Sequence, residues 1–348
     1  MAADKQVTQH MKKRYWIAGA SGLAGAAVAA KLLSRPRDVE WDVYAGKFAH
    51  SKYAHVAEID GVRVHYQETG PRDAPAIMLI HGFTAFNLVW SEVLLPIAAA
   101  GFRVIAPDLL GHGFTEKPKD GEYTIESQAR LIVSLMDHLG IAHAVLVGNS
   151  YGGAIAAVCA LDHPSRVEKL VLVGAVINDE PKKKFLLRLA SAPLIGDVVT
   201  PLLMDSRLIV RRRLKKIYSE FAHLLFDEDR LQARHLPMKA ARTQRAILRT
   251  LRRWKADRVE REAPSITQAT LIIWGEHDSD TPLKFGKRLN NLIPDSRLIV
   301  FRQCGHLPQE EYPTEFTKLV TDFCTDPGSN GLVLVDKEDE TVLALVTD

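Results

Sequence analysis

Gly148-Asn149-Ser150-Tyr151-Gly152 stands between an apolar run, Ala144 to Val147, and a small-residue run, Gly153-Ala154-Ile155-Ala156-Ala157. A G-x-S-x-G at the junction of a strand and a helix is a nucleophile elbow, a turn so tight that glycines must flank the serine for the two chain segments to approach. The turn lifts the Ser150 hydroxyl above a sheet edge. It also aims the first amides of the following helix at the place where a tetrahedral oxyanion forms, so nucleophile and anion stabiliser share one piece of backbone.

An activated serine needs a base, and the base needs a carboxylate that fixes its tautomer and supports its positive charge. Ala269 to Gly275 reads as a buried strand ending in Glu276-His277-Asp278-Ser279-Asp280, followed by Thr281-Pro282, a helix-start signal. Ser296 to Phe301 reads as another strand, ending at Cys304-Gly305-His306-Leu307-Pro308 before a helical stretch from Glu310 to Cys324. Asp278 and His306 thus occupy matching loops at strand ends. His306 is preferred among the thirteen histidines because it alone follows a strand as Gly-His. His277 lies too close in sequence to Asp278 to face it well, and His81 and His112 fall in turns. For the acid, Asp278 is preferred; Glu276 and Asp280 share its loop, and Asp179 is an alternative beyond the sixth strand.

The chain order Ser150, Asp278, His306 is that of an α/β-hydrolase, and from about Val62 to Cys324 the chain resembles that superfamily. Leu79-Ile80-His81-Gly82-Phe83 is similar to the family's strand-three end, where the amide after His-Gly supplies one oxyanion donor. The resemblance therefore pairs the amide of Phe83 with that of Tyr151. Pro107-Asp108-Leu109-Leu110-Gly111-His112-Gly113 is similar to the family's strand-four turn, which shapes the floor of the site. The fold implied is a mostly parallel central sheet with helices on both faces and a helical cap inserted after the sixth strand.

Strands are expected at Val62–Glu68, Ala76–His81, Arg103–Pro107, Ala144–Gly148, Lys169–Gly174, Thr270–Trp274 and Arg297–Phe301, with helices between them that include Ile125–Leu139 and Phe285–Leu292. Alternating apolar strands and helices build a parallel sheet covered on both faces, whose site lies off the C-terminal strand ends. The core is assigned to residues 55–176 and 266–326. Residues 177–265 are too many for a loop and read as the cap. They hold 21 Lys and Arg against 11 Asp and Glu, a net of +10 in a chain whose total is +3. Runs such as Lys182-Lys183-Lys184-Phe185-Leu186-Leu187-Arg188 and Arg211-Arg212-Arg213-Leu214-Lys215-Lys216 mix cations with apolar residues at helical spacing. Two readings of them stand open: a solvated basic face, and contact with an anionic membrane surface. No nucleic-acid-binding module accompanies the charge.

Residues 1–45 form an N-terminal segment. Lys12-Lys13-Arg14 precedes sixteen uncharged residues, Tyr15 to Ala30, which resemble a short signal anchor; Ala27-Val28-Ala29 also suits a signal-peptidase site. Membrane association through this segment and a cytoplasmic location are both open. The glycines of Ile17 to Gly25 resemble a dinucleotide-binding turn, but the hydrolase begins by about Val62 and leaves no room for the rest of such a sheet. Residues 327–348 carry two β-prone runs that suggest a hairpin pairing with a sheet edge or a partner. Cys159, Cys304 and Cys324 are odd in number and lack metal-like spacing, so neither a disulfide framework nor a metal site is expected.

A serine nucleophile implies acyl transfer, with water the default acceptor. The reading is a serine hydrolase of carboxylic esters, including lipid-like ones, that uses an acyl-enzyme. Ser150 attacks, His306 carries the proton, Asp278 orients His306, and Phe83 and Tyr151 hold the oxyanion. Phe86, Trp90, Tyr151, Ile177 and Leu307 are candidate pocket residues, and no metal or organic cofactor is implied. Acyl transfer to another acceptor, carbon–carbon bond hydrolysis of a diketone and a slow-turnover ligand receptor remain alternatives; oligomeric state is left open.

Overall fold

The strand β5 (Ala144–Asn149) is buried at every position and has neighbours on both sides, β3 (Ala76–Ile80) and β6 (Val167–Val173). A computed structural model describes Ala26, residues 28–219 and 228–325, and the backbone of Ala344 and Leu345. Its sheet runs β1-β2-β4-β3-β5-β6-β7-β8-β9, with β1 Ala54–Ile59, β2 Val62–Thr69, β4 Arg103–Pro107, β7 Thr270–Gly275, β8 Ser296–Phe301 and β9 Ala344–Leu345. From β4 to β9 every pairing is parallel; β2 lies antiparallel to both β1 and β4.

Side chains alternate between the two faces, as the two-residue strand period requires. Met78, Ile80, Leu146, Leu172, Ile272 and Trp274 enter one core; Ile77, Leu79, Val145, Val147, Val173 and Ile273 enter the other. Burial on both faces accounts for the nearly continuous apolar strand sequences. The second core is covered by α1 (Ser91–Ala99) and by the last long helix. The first is covered by α2 (Ile125–His138) and α3 (Tyr151–Asp162). Helix α2 starts where Thr124 and Ser127 exchange side-chain-to-backbone hydrogen bonds in a capping box.

Between β6 and β7 the chain makes α4 (Phe185–Ser191), α5 (Ile195–Asp205), α6 (Arg207–Ile217), α7 (Glu228–Met238), α8 (Ala241–Arg253) and α9 (Asp257–Glu262). After β7 come α10 (Lys284–Leu292) and, after β8, α11 (Pro313–Thr325), which supplies Phe316, Val320 and Phe323 to the second core.

Strand β1 was not expected from the sequence. Only Ile59 in it is buried, the residues from Ala54 to Glu58 being half-exposed or exposed, and it is an edge strand. The turn that joins it to β2 carries the local signal: Asp60 and Gly61 have φ of 51° and 75°, both positive, as a two-residue hairpin turn demands.

Residues 1–37 form a unit of their own, apart from residues 38–348. Residues 28–33 are helical, and most of the expected anchor, Tyr15 to Ala30, lies outside the described residues. Among the described residues no single helix is long and apolar enough to cross a membrane. Of the expected C-terminal hairpin, Ala344 and Leu345 extend the sheet parallel to β8, and the rest lies outside the described residues.

Candidate active site

Ser150 is the residue between β5 and α3, with φ 56° and ψ −115°. A serine in this region is strained by about 1–3 kcal/mol, and its surroundings must hold it there. They do so through the backbone: the Ser150 N–H donates to the Val173 carbonyl at 2.8 Å, and its carbonyl accepts from Gly153 at 3.0 Å and Val176 at 2.9 Å. The flanking glycines are required by contact. A Cβ on Gly148 would lie 2.3 Å from the Gly152 carbonyl oxygen, and one on Gly152 would lie 2.2 Å from that of Ile80.

His306 and Asp278 meet. The Nδ1 of His306 lies 2.7 Å from Oδ2 of Asp278, and both side chains are buried. Asp278 is itself fixed: its Oδ1 accepts from the amides of Asp280 (2.8 Å) and Thr281 (2.9 Å), and the Thr281 hydroxyl lies 2.9 Å from its Oδ2. Two preorganised amide donors and one imidazole leave the carboxylate a single orientation. Burial disfavours the charged form of His306, yet the Asp278 carboxylate, with Asp280 behind it, outweighs that and raises its pKa above the usual histidine range.

These groups converge at the end of β6. A Cβ on Gly174 would lie 3.0 Å from Asp278 Oδ2 and 3.3 Å from His306 Nδ1, while the preceding residue, Val173, accepts the Ser150 amide. Asn149 closes the arrangement by placing its Nδ2 3.2 Å from the carbonyl of Val173 and 3.4 Å from that of His306. Ser150 is half-buried, and among the described residues neither its hydroxyl nor His306 Nε2 makes a hydrogen bond, to each other or to another group.

Gly82 packs on Ser150: a Cβ there would lie 3.1 Å from the serine Cβ. The next amide is that of Phe83. Neither the Phe83 N–H nor the Tyr151 N–H donates to any described group, so two backbone donors stand unused beside the serine hydroxyl. Unpaired backbone donors next to a half-buried nucleophile are the form an oxyanion hole takes before charge develops.

His81 positions this loop rather than moving protons. Its Nδ1 donates to the Gly82 carbonyl at 2.8 Å and its Nε2 accepts from the Leu109 amide at 2.9 Å; burial holds its pKa below the usual value. His112 donates from Nδ1 to the Leu110 carbonyl, and burial takes its pKa down to about 3. Asp108 accepts from the amides of Asn87 and Phe114 and from His65 Nδ1, and so ties the turn after β4 to β2.

The insertion between β6 and β7 packs against the site loops. Trp254, at the end of α8, meets the ring of Phe83 at 5.4 Å and that of Tyr151 at 5.0 Å. Among the described residues Trp254 Nε1, Tyr151 Oη and His112 Nε2 are buried without partners, a donor, a hydroxyl and an acceptor on rings grouped around Phe83. On the other side the Ile217 carbonyl accepts the His306 amide at 2.7 Å, and Ile217 and Tyr218 pack on Leu307. Arg234 and Tyr218 both bond to Glu310, four residues past His306. Glu311 accepts from the amides of Gly305 (3.0 Å) and Ser219 (3.1 Å), joining the insertion to the histidine loop.

The expected residues are placed unequally. Ser150, Asp278, His306, Phe83 and Tyr151 come together, and Leu307 and Ile177 lie buried beside them: Leu307 packs under Tyr218, and Ile177 shares a core cluster with Tyr151 and Trp254. Trp90 does not line this region. It is fully buried in the second core, 6.2 Å from the ring of Phe316, because its helical turn packs inward against the sheet. Phe86 belongs instead to an aromatic group with Phe48 and Phe114. Asp179 is committed to the Ala256 amide, and Asp280 pairs with Arg213 at 2.7 Å, so neither holds the imidazole. Thr281, Asn149 and Trp254 were not singled out from the sequence; the Asp278-to-Thr281 spacing is the local turn signal for the first, while Trp254 has none because its neighbours come from distant chain.

Cys304 and Cys159 are buried, and burial raises both thiols, which makes them packing residues. Among the described residues no group of three His, Cys, Asp or Glu side chains is placed to hold a metal ion.

The nine-strand sheet, the strained serine between β5 and α3 and the paired imidazole and carboxylate define a hydrolase of the α/β class. The comparisons agree: the alpha/beta hydrolase fold family matches residues 75–313, and the chain belongs to it. It is 32% identical over 273 residues to 2-hydroxymuconate semialdehyde hydrolase of Pseudomonas sp. (strain CF600), covering 76% of this chain and 92% of that protein. Among solved structures, the meta-cleavage product hydrolase CumD of Pseudomonas fluorescens IP01 is similar at 26% identity and a TM-score of 0.66, over 78% of this chain and 97% of its own. The enol-lactonase of Burkholderia xenovorans LB400 is similar at 25% identity and a TM-score of 0.67, over 78% of this chain and 100% of its own.

Proposed function

We propose that this chain hydrolyses uncharged carboxylic esters through an acyl-enzyme on Ser150. The observation that carries the reading is the pair of unused amides, Phe83 and Tyr151, beside a serine whose neighbouring imidazole is anchored to a carboxylate. Ser150 Oγ attacks the ester carbonyl while His306 Nε2 takes its proton. The oxyanion receives the two amides, a contact worth about 2.7–4 kcal/mol per donor in comparable sites. Collapse expels the alcohol, which takes the proton back from His306, and water repeats the sequence to release the acid.

The charge around the site supports an uncharged substrate. Two cations beside the histidine and acid loops are already neutralised, Arg234 by Glu310 and Arg213 by Asp280. A carboxylate-bearing substrate gains little from a guanidinium that is already paired. Trp254 Nε1, Tyr151 Oη and His112 Nε2 suit a polar, neutral group on the substrate.

The relatives support a second reading, carbon–carbon cleavage next to a ketone, which the names of 2-hydroxymuconate semialdehyde hydrolase and meta-cleavage product hydrolase describe for those proteins. The same triad serves it, with carbon rather than oxygen as the leaving atom. The two are separated by measuring kcat/KM for a p-nitrophenyl ester series and for a 2-hydroxy-6-oxo-dienoate side by side. The ester reading expects multiple turnovers and at least about tenfold preference for an ester, a difference of about 1.4 kcal/mol. Preference for the dienoate overturns it in favour of carbon–carbon cleavage, and a single slow labelling event with every ester overturns turnover itself.

A further inference from the structure

The catalytic reading leaves one surface unused, the outer side of α4 to α6. Phe185 and Leu194 are 79% and 84% exposed, and Leu186, Ile195, Val198, Leu208 and Ile209 are exposed as well. Large aliphatic and aromatic side chains gathered on three consecutive helices mark an interaction surface; scattered singly they would need no explanation.

Leu194 is not exposed by laxity. It has φ 64° and ψ −50°, and the Ile195 amide donates to the Pro193 carbonyl at 2.7 Å, so Leu194 is the centre of the rare, strained form of the γ-turn. Arg252 holds that turn. Its guanidinium reaches the carbonyls of Ser191 and Ala192 at 3.1 Å each, and Asp197 at 2.8 Å. A bulky residue forced into left-handed backbone, braced by an arginine and yet turned to water, spends stability on display.

The rim is cationic. Lys183 stands two residues before Phe185, and Arg188 is three residues past Phe185 and shares its helix face. Arg212 stands three and four residues past Ile209 and Leu208. Lys183, Arg188, Arg212 and Lys216 are exposed and make no ion pair among the described residues. The acidic group nearest the apolar turn, Asp197, is neutralised by Arg252. Helices α4 and α5 together have the length and apolar composition of a membrane-entering segment, bent by 118° at the turn between them.

We propose that this apolar, cation-rimmed tip docks on the surface of a bilayer containing anionic lipid, with Phe185 and Leu194 inserted below the headgroups. Apolar insertion and attraction between unpaired cations and anionic headgroups act together, and neither alone explains both halves of the surface.

The test uses the full chain with Leu194→Cys labelled by the fluorophore NBD, the native thiols being buried or half-buried, and the chain with native Leu194 taken through the same labelling serves as the control. Vesicles are phosphatidylcholine with and without one part in three phosphatidylglycerol. The proposal expects a blue-shifted, brighter NBD emission with the anionic vesicles, reversed by high salt and weak with the neutral ones. It also expects Phe185→Ser/Leu194→Ser to lower partition onto anionic vesicles at least about tenfold while turnover of a water-soluble ester stays unchanged. An unchanged NBD signal while the chain still sediments with vesicles overturns the proposal, since some other segment then holds it. Equal response to neutral vesicles overturns the electrostatic half, and a dimer dissolved by the double substitution without lipid shows that a second copy covers the surface.

Discussion

Replacing Asp278 by Asn tests the site at its most constrained point. The substitution keeps shape and the two amide donors, Asp280 and Thr281, can still bond Oδ1. What changes is the face toward His306, where an acceptor 2.7 Å from Nδ1 becomes an NH2 group. That face now requires Nδ1 to accept, which moves the ring proton to Nε2 and leaves nothing to receive the Ser150 proton. The imidazolium also loses its counter-charge: at an effective dielectric near 20, unit charges at this distance attract by about 6 kcal/mol. The carboxamide dipole retains part of that, so a loss of about 4–5 kcal/mol in transition-state stabilisation is expected, roughly three to four decades in kcat/KM for p-nitrophenyl butyrate. The pH profile gives an independent reading. His306 must be neutral to act as base, and because its pKa is raised above its ordinary 6.5, activity in the wild type climbs with pH along a limb centred above 6.5. Removing the carboxylate leaves burial in charge, and the limb moves to lower pH. A loss below about tenfold, or an acid limb that stays in place, would refute the reasoning, provided thermal unfolding shows the variant folded.

Other consequences follow from neighbouring groups. Asp280→Asn removes a carboxylate that pairs with Arg213 and only stands behind the imidazole, so kcat/KM should fall by less than about tenfold, the complement of the large effect at Asp278. Gly152→Ala drives a Cβ to 2.2 Å from the Ile80 carbonyl oxygen; the elbow must shift, and ester turnover should drop at least about a hundredfold together with thermal stability. Glu310→Gln strips a buried guanidinium of its partner, since Arg234 and Glu310 side chains are 12% and 1% exposed. Urea unfolding should show about 3–5 kcal/mol of lost stability, and Arg234→Met in the same chain should restore part of it.

Much of this architecture was legible because a parallel sheet buried on both faces writes itself as short aliphatic runs. The expected strands at Arg103–Pro107 and Ala144–Gly148 coincide with β4 and β5 to within a residue, and the others differ by at most two. The elbow was legible for a different reason: Gly148 and Gly152 leave no room for a side chain, so the contact is recorded in the residue type itself. Strand β1 was not, because an edge strand with one wet face lacks the aliphatic run. The contact from the insertion was also hidden. Trp254 reaches Phe83 across more than 170 positions, and no local pattern distinguishes a tryptophan that meets a distant ring from one that fills a core. Trp90 illustrates the converse: its place after the oxyanion loop suggested the pocket, and its helical turn carried it into the core.

The central claim is that an ester's acyl group is transferred to Ser150. Acid-quenched samples of enzyme and p-nitrophenyl ester, taken during the first turnover and weighed intact by mass spectrometry, test it directly. The account predicts a chain heavier by one acyl group, located by digestion on the peptide containing Ser150 and absent from Ser150→Ala. Turnover without any adduct, or an adduct that persists in Ser150→Ala, would contradict it.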